Sequence, residues 1–236
     1  DFDDEGPMAL VHAAVLAASP HNTQPWLFEV TASQIDLYAD GNRHLGAMDP
    51  FRREMCIGLG CALENMMITA QALGYDVDLE LTNGRLTDWP GTTDPTLVAS
   101  LLLSEGEKRP SAKHANIPYR RTNRFPYVDQ AIAPKTLAFL QAYKTDPDIK
   151  LMLFSQPDTQ FQQFVDLSIQ ATEQIITDNE MAHDSFRWIR QSWEEVQTYK
   201  DGPYVDTSGA SPLIRTAAKI TPPMSQSQID ASWFAS

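Results

Sequence analysis

The alternation of apolar and polar residues predicts a short helix followed by a β-hairpin at the start of the chain. A helical repeat of apolar residues begins at Pro7, a residue favoured at the first helical position, and ends before Ser19. Residues 26–30 and 35–38 are rich in strand-forming residues, and a polar segment separates them. Because two such runs joined by a short turn are typical of antiparallel pairing, we expect a hairpin here.

A long apolar helix is predicted next, over residues 52–73, and Gly74 closes it. Its apolar residues occur on nearly all sides, which is typical of a helix at the centre of a domain. Gly58 and Gly60 would let a neighbouring segment approach this helix closely. Two further strands are predicted after the helix, at residues 77–81 and 98–103.

The second half of the chain predicts mainly helices. An amphipathic helix begins at Pro134, a strand follows at residues 149–154, and a long helical region covers residues 158–198. Residues 200–228 are rich in proline and glycine, which predicts an irregular segment. A loop of that length is usually a lid, a binding loop or disordered, and we expect a lid.

Composition and charge divide the chain at the polar residues 104–118. With 236 residues, the chain is long enough for one large domain or two modest ones. Residues 1–110 carry 17 acidic and 6 basic side chains, residues 111–236 carry 14 and 12, and the net formal charge is −13. We therefore expect two units, 1–110 and 111–236. So acidic a chain argues against a nucleic-acid partner.

Composition also bears on metal sites, membranes and location. Two cysteines exclude a disulfide framework and a cysteine-based metal site, and the histidines lack ligand spacing, so we expect no metal. No apolar run approaches the roughly 20 residues of a membrane helix, so we expect no membrane partner. The chain begins at Asp1 without a basic and apolar leader. A targeting segment is either absent or already removed, which leaves cytoplasm and periplasm open.

Residues 19–26, the amide-rich segment, are the first candidate site. They read Ser-Pro-His-Asn-Thr-Gln-Pro-Trp and lie between the first helix and the first strand. The side chains of Asn22 and Gln24 each offer donors and an acceptor, which suits a planar heterocycle with alternating N–H and C=O groups. The alternative is an ordinary turn, because Asn, Pro and Ser are common turn residues.

Residues 119–125, the basic segment, are the second candidate site. Arg120, Thr122 and Arg124 fall on one face if this segment is extended, so that two guanidinium groups flank a hydroxyl. This arrangement suits a phosphate group, which guanidinium groups bind through charge-assisted hydrogen bonds. The alternative is a solvated basic turn.

Together the two segments resemble signatures of the flavin-dependent nitroreductase-like family. Its members open with Arg-x-Ser-x-Arg/Lys-x-Phe, which binds the phosphate and ribityl chain of FMN. A helix follows, and then Pro-Ser-x-x-Asn-x-Gln-Pro-Trp lies beside the isoalloxazine ring. The amide-rich segment matches the second signature with its leading Ser and Pro exchanged, and residues 120–125 match the first with Thr122 in place of Ser.

The order of the two signatures is inverted here, and each half of the chain carries one of them. In this family the cofactor lies at the interface of a homodimer. The chain is therefore similar to the Acg-like branch, a fused pseudo-dimer with one working and one degenerate flavin site, for which a monomer is possible. The resemblance implies an α+β, three-layer nitroreductase-like fold, with two fused homologous halves around mainly antiparallel sheets and long central helices.

The resemblance implies an FMN-binding oxidoreductase that moves electrons from NADH or NADPH to a small-molecule acceptor, such as a nitroaromatic or a quinone. No catalytic side chain is implied, because the flavin carries the electron chemistry. A flavin-binding or flavin-sequestering protein with little turnover is the alternative, and a domain without flavin is a third possibility. The implied cofactor-binding residues are Arg120, Arg121, Thr122 and Arg124 at the phosphate end, and Pro20, His21, Asn22 and Gln24 at the ring.

Overall fold

A four-stranded antiparallel sheet with helices packed against it forms the first hundred residues. The computed structural model describes residues 6–82, 94–142, 147–154 and 158–234. The strands are β1 (Trp26–Val30), β2 (Gln34–Ala39), β3 (Tyr75–Leu81) and β4 (Thr96–Glu105). The helices are α1 (Pro7–Ala14), α2 (Arg53–Leu73), α3 (Ala112–Asn116), α4 (Pro134–Ala142), α5 (Thr159–Thr177), α6 (Asn179–Phe186), α7 (Trp193–Tyr199), α8 (Pro212–Ile220) and α9 (Gln226–Phe234).

The sheet has the order β1-β2-β4-β3, so β1 and β3 are its edges. β1 and β2 pair in register from Trp26 opposite Ala39 to Val30 opposite Ile35, which confirms the predicted hairpin. β4 lies between β2 and β3 and is antiparallel to both, so the two further predicted strands are confirmed as well. Helix α1 is shorter than predicted, because it ends at Ala14 and gives way to turns before Ser19.

Helix α2 and the sheet share the hydrophobic core. The predicted helix is confirmed, and Gly74 closes it in the left-handed conformation at φ 87°, with its N–H donating to the carbonyl of Ala70. On the core side, Leu59 and Met66 are fully buried. The core also includes Leu10, Val11 and Ala14 of α1, Trp26 of β1, Ile35, Leu37 and Ala39 of β2, Met55, Ala62 and Ala70 of α2, and Ala99, Leu101 and Leu103 of β4.

The expectation that α2 is surrounded on all sides is wrong. Its Ile57 side chain is 65% exposed, because only one face of the helix meets α1 and the sheet. By length and composition alone, α2 is also apolar enough to cross a membrane, contrary to the expectation that no segment is. The core helix of a globular domain can have the same composition, and α2 packs here against the sheet.

The second half differs from the sequence-based expectation in three places. No strand forms at residues 147–154, which are mostly exposed, because a strand needs a neighbour for its backbone hydrogen bonds and the described residues after 110 contain none. The predicted helix over 158–198 is divided into α5, α6 and α7. Asp178 ends α5, and its carboxylate accepts from the N–H groups of Glu180 and Met181 at the start of α6.

Residues 200–228 are less irregular than expected, because they contain α8 and the beginning of α9. The described structure is thus α+β, with one small antiparallel sheet followed by helices. That architecture is compatible with the implied nitroreductase-like fold. A second, homologous half and a third layer stay predictions, as does the boundary near residue 110.

Replacement of Leu59 by alanine should test the core position of α2. Leu59 is fully buried, so we expect Leu59→Ala to lower the free energy of unfolding by about 2–5 kcal/mol. The matched control is Ile57→Ala in the same helix, where we expect a change within about 0.5 kcal/mol. Urea denaturation measures both. Equal losses in the two variants would contradict the one-sided burial of α2.

Candidate functional site

Helix α2 packs directly against the amide-rich segment. A Cβ atom at Gly58 would lie 3.4 Å from Cδ of Pro20 and 3.5 Å from Cα of Ser19. The helix and the segment are therefore in van der Waals contact, as predicted for Gly58. The same prediction is wrong for Gly60, because nothing lies within 4 Å of a Cβ placed there.

The backbone of the amide-rich segment is unusually bent. His21, Asn22 and Gln24 have φ angles of 46°, 53° and 50°, in the left-handed region that residues other than glycine rarely adopt. Local hydrogen bonds help to hold this shape, since the N–H of Gln24 donates to Oγ of Ser19 at 3.0 Å. Strained backbone of this kind is concentrated at functional sites, which favours a functional role for the segment over the ordinary turn.

Three side chains of the amide-rich segment have different environments. His21 Nε2 lies 3.0 Å from Oγ of Ser185 in α6. Gln24 Nε2 donates to the carbonyl oxygen of Lys200 at 2.7 Å. The Asn22 side chain is exposed, and within the described residues it makes no hydrogen bond. Asn22 is therefore the amide most available to a ligand.

The basic segment reaches back to the first half of the chain. Arg120 Nε donates to the carbonyl oxygen of Leu16, just after α1, at 3.1 Å. Arg120 Nη1 also donates to Oγ1 of Thr122 at 3.3 Å, as expected for residues two apart in an extended segment. Arg121 Nη1 donates to the carbonyl oxygens of Pro118 and Arg120, both at 2.8 Å. The Arg121 guanidinium is thus turned partly toward its own backbone.

Arg124 connects the basic segment to the amide-rich segment electrostatically. Burial lowers the pKa of His21 below its ordinary value of 6.5, and the positive charge of Arg124 lowers it further. Arg124 also donates from Nη1 to the carbonyl oxygen of Thr207 at 3.2 Å, so it anchors the turn before α8. The structure therefore brings Arg124 within electrostatic range of His21. Within the described residues, the other side chains of the basic segment make no hydrogen bond to residues 19–26.

A turn at residues 200–204, at the start of the predicted lid, covers part of the amide-rich segment, and its Asp201 is a residue that sequence reasoning did not single out. The N–H of Gly202 donates to the carbonyl oxygen of Asn22 at 3.2 Å, and Lys200 accepts from Gln24. The buried carboxylate of Asp201 lies between the guanidinium groups of Arg43 and Arg190. No sequence signal could pair Asp201 with Arg43, since 158 positions separate them.

The donors of this site suit a phosphorylated heterocycle. Three guanidinium groups and a hydroxyl are exposed on the basic segment. The amide-rich segment contributes the amide of Asn22 and the imidazole of His21. In the part of the chain that the structure describes, no three His, Cys, Asp or Glu side chains lie close enough to hold a metal ion.

An open cleft lies beside this site and only partly coincides with it. It has a volume of about 600 Å³ between α1 and β1, and its walls are mostly apolar. Among the predicted cofactor-binding residues, only Gln24 lines it, next to Arg43 and Lys200. The cleft therefore offers an apolar surface next to the amide-rich segment, large enough for a small aromatic molecule.

The lowered pKa of His21 should make stability depend on pH. The folded protein binds a proton at His21 less readily than the unfolded chain does. The stabilisation is therefore complete above pH 6.5 and is lost as the pH falls below it. We expect wild type to lose more free energy of unfolding than His21→Asn between about pH 7.5 and about pH 5.5, measured by urea denaturation.

Ser185→Ala is the control for this measurement. It removes the hydroxyl next to His21 but keeps burial and Arg124, the two causes of the shift. We expect it to keep the pH dependence of wild type. If His21→Asn and wild type lose stability equally, the assignment of the shift to His21 is wrong. His44, whose pKa burial also lowers, is present in all three proteins and cancels.

Comparison with known proteins adds independent information. No family model matches the chain. The protein named "Putative NAD(P)H nitroreductase Rv3131" of Mycobacterium tuberculosis is 25% identical over 188 residues, which cover 79% of this chain and 52% of that protein. From the same organism, "Putative NAD(P)H nitroreductase acg" is 30% identical over 125 residues, 50% of this chain and 35% of that protein.

The chain thus spans about half the length of the first of these relatives and about a third of the second. Their names agree with the resemblance carried by the amide-rich and basic segments. They also agree with the α+β architecture of the described residues. These low-identity relatives support a nitroreductase-like family for this chain.

Proposed function

We propose that this chain is an FMN-binding oxidoreductase of nitroreductase type. It would move electrons from NADH or NADPH through the flavin to a nitroaromatic or quinone-like acceptor. The observation that carries the proposal is the approach of the basic segment to the amide-rich segment. Arg120 bonds to the chain just before the amide-rich segment, and Arg124 acts on His21 within it.

The basic segment would hold the phosphate end of the cofactor. Arg120 and Arg124 carry the positive charge, and Thr122 adds a hydroxyl donor already in contact with Arg120. Arg121 is a weaker contributor, because its Nη1 donates to two backbone carbonyl oxygens. In a chain with a net charge of −13, a local cluster of guanidinium groups is a suitable place for an anion.

The amide-rich segment would face the flavin ring. Asn22 offers an unengaged side-chain amide, and Gln24 keeps its side-chain oxygen while Nε2 is bonded to Lys200. Pro20 and His21 would form a wall of the pocket. When bound, FMN supplies the electron transfer, and donors near its polar edge favour the more negative reduced form. No protein side chain is required as a nucleophile or base.

The proposal includes the Acg-like arrangement within one chain. The first unit would supply the ring side and the second the phosphate side, so a monomer could bind the cofactor. Residues 200–228 would act as the lid. Its first turn, at 200–204, contacts the amide-rich segment, and Arg124 holds Thr207 a little further on.

The alternative, a flavin-binding or flavin-sequestering protein with little turnover, is favoured by one observation. Lys200 and Gly202 already lie against Gln24 and Asn22, so the ring side of the site is partly covered. Such a cover would hinder a second substrate from reaching the flavin. Binding of FMN is common to both candidate functions, and turnover separates them.

Replacement of Arg124 should weaken FMN binding more than riboflavin binding. Riboflavin lacks the phosphate group, so only FMN loses a charge-assisted hydrogen bond in Arg124→Gln. We expect the affinity for FMN to fall about tenfold, with little change for riboflavin, by quenching of flavin fluorescence. The control is Arg109→Gln, because Arg109 pairs with Asp76 beside β3, at the sheet edge remote from β1. Equal losses for both flavins in Arg124→Gln would contradict the phosphate role.

Steady-state oxidation of NADH and NADPH should separate the two candidate functions. We expect the FMN-loaded protein to oxidise one of them when a nitroaromatic or quinone acceptor is present, measured by absorbance at the nicotinamide band. A protein that binds FMN and remains idle would favour the sequestering alternative. A colourless protein that cannot be reconstituted with FMN would exclude both.

A further inference from the structure

We infer that Asp201 is a positioning residue that holds the amide-rich segment in its strained shape. Asp201 forms an ion network with Arg43 and Arg190. Asp201 belongs to the predicted lid, and none of the three lies in the amide-rich or the basic segment. The expected effect of Asp201 on bound flavin rests on the proposed function. Its expected effect on the backbone of the amide-rich segment does not.

The network is close and largely shielded from solvent. Asp201 Oδ2 lies 2.8 Å from Nη1 of Arg43, and Oδ1 lies 2.6 Å from Nη2 of Arg190. Arg190 Nε also donates to Oδ1 at 2.9 Å. The Asp201 and Arg190 side chains are only 7% and 11% exposed, while Arg43 is 34% exposed. A carboxylate this buried is retained only with its charged partners, and the nearly buried Arg190 depends on it in turn. Arg43 also pairs with Asp40, whose Oδ2 lies 3.4 Å from Nε of Arg43.

The two arginines of the network also donate to backbone carbonyl oxygens, in the amide-rich segment and around the turn at 200–204. Arg43 Nη1 donates to the carbonyl oxygen of Thr23 at 2.9 Å as well as to Asp201. Arg190 Nη1 donates to the carbonyl oxygen of Arg187. The backbone N–H of Arg190 donates to the carbonyl oxygen of Pro203 at 2.9 Å. The Arg190 guanidinium also lies 4.6 Å from the ring centre of Tyr199. The network therefore ties the amide-rich segment to the turn at 200–204.

The residue following Asp201 shows that this turn is tightly built. Gly202 has a φ of 73°, and a Cβ atom there would overlap the carbonyl oxygen of Trp188. Its N–H donates to the carbonyl oxygen of Asn22, while the carbonyl of Lys200 accepts from Gln24. Two backbone groups on either side of Asp201 thus bond directly to the amide-rich segment.

The backbone that this network holds in place is strained. Among the described residues, five other than glycine have positive φ, and four of them lie in this contact: His21, Asn22, Gln24 and Lys200. Each such residue is unfavourable by itself, so the shape persists only where surrounding contacts determine it. Asp201 organises the nearest such contacts. Without it, the segment should relax, and the amides of Asn22 and Gln24 should lose their fixed direction.

Hydrogen exchange of the full chain tests this inference without any flavin. In Asp201→Asn, we expect amide exchange at residues 22–24 and at Gly202 to become about tenfold faster or more, while amides on the buried face of α2 keep their rates. Arg43→Gln is a milder second variant, since it spares the pair of Asp201 and Arg190, and should accelerate the same amides. The control is Asp206→Asn, which loses an exposed pair with Lys219 at 2.8 Å.

Two results would overturn the inference. One is unchanged exchange at residues 22–24 in both variants. The other is equal acceleration in α2, which would show general destabilisation rather than positioning. With FMN at saturation, we expect Asp201→Asn to change the shape of the visible flavin absorption band, whereas the remote Arg109→Gln leaves it unchanged. Wild type that binds no flavin would refute the proposed function alone, because exchange in the flavin-free protein still decides the role of Asp201.

Discussion

The buried carboxylate of Asp201 is the interaction on which the candidate site depends. It neutralises two guanidinium groups from distant parts of the chain, Arg43 after β2 and Arg190 before α7. Asp201 and Arg190 are both nearly buried, so loss of the carboxylate charge would leave Arg190 without this partner in the interior, which is strongly unfavourable. Arg43 is one-third exposed and also pairs with Asp40 at 3.4 Å. Through Thr23, this network fixes the amide-rich segment relative to the turn at 200–204.

Helix α2 places a second constraint on the amide-rich segment. Helix α2 is held against the sheet by its buried face, and Gly58 lets Ser19 and Pro20 lie directly on that helix. The amide-rich segment is therefore confined between a core helix and a turn from the second half of the chain. Confinement from two sides explains how consecutive residues can stay in the left-handed conformation.

The chemistry of the site follows from the polar side chains exposed around this confined segment. The Asn22 side chain makes no hydrogen bond within the described residues, and Arg120 and Arg124 of the basic segment are exposed. A neutral, amide-lined region next to a cationic one matches a ligand with a planar polar ring and an anionic tail. The relatives from Mycobacterium tuberculosis support the same family, and they are longer than the span they share with this chain.

The sequence by itself determined the elements whose signals are local. The β-hairpin and the long helix closed by Gly74 both follow from period, capping and residue type over short stretches. Tertiary structure decided the rest. Residues 149–154 lack a neighbouring strand and stay irregular, although their composition favours a strand. The pairing of Asp201 with Arg43 joins residues 158 positions apart, because charges are paired by proximity in the folded chain and no local pattern records which ones will meet.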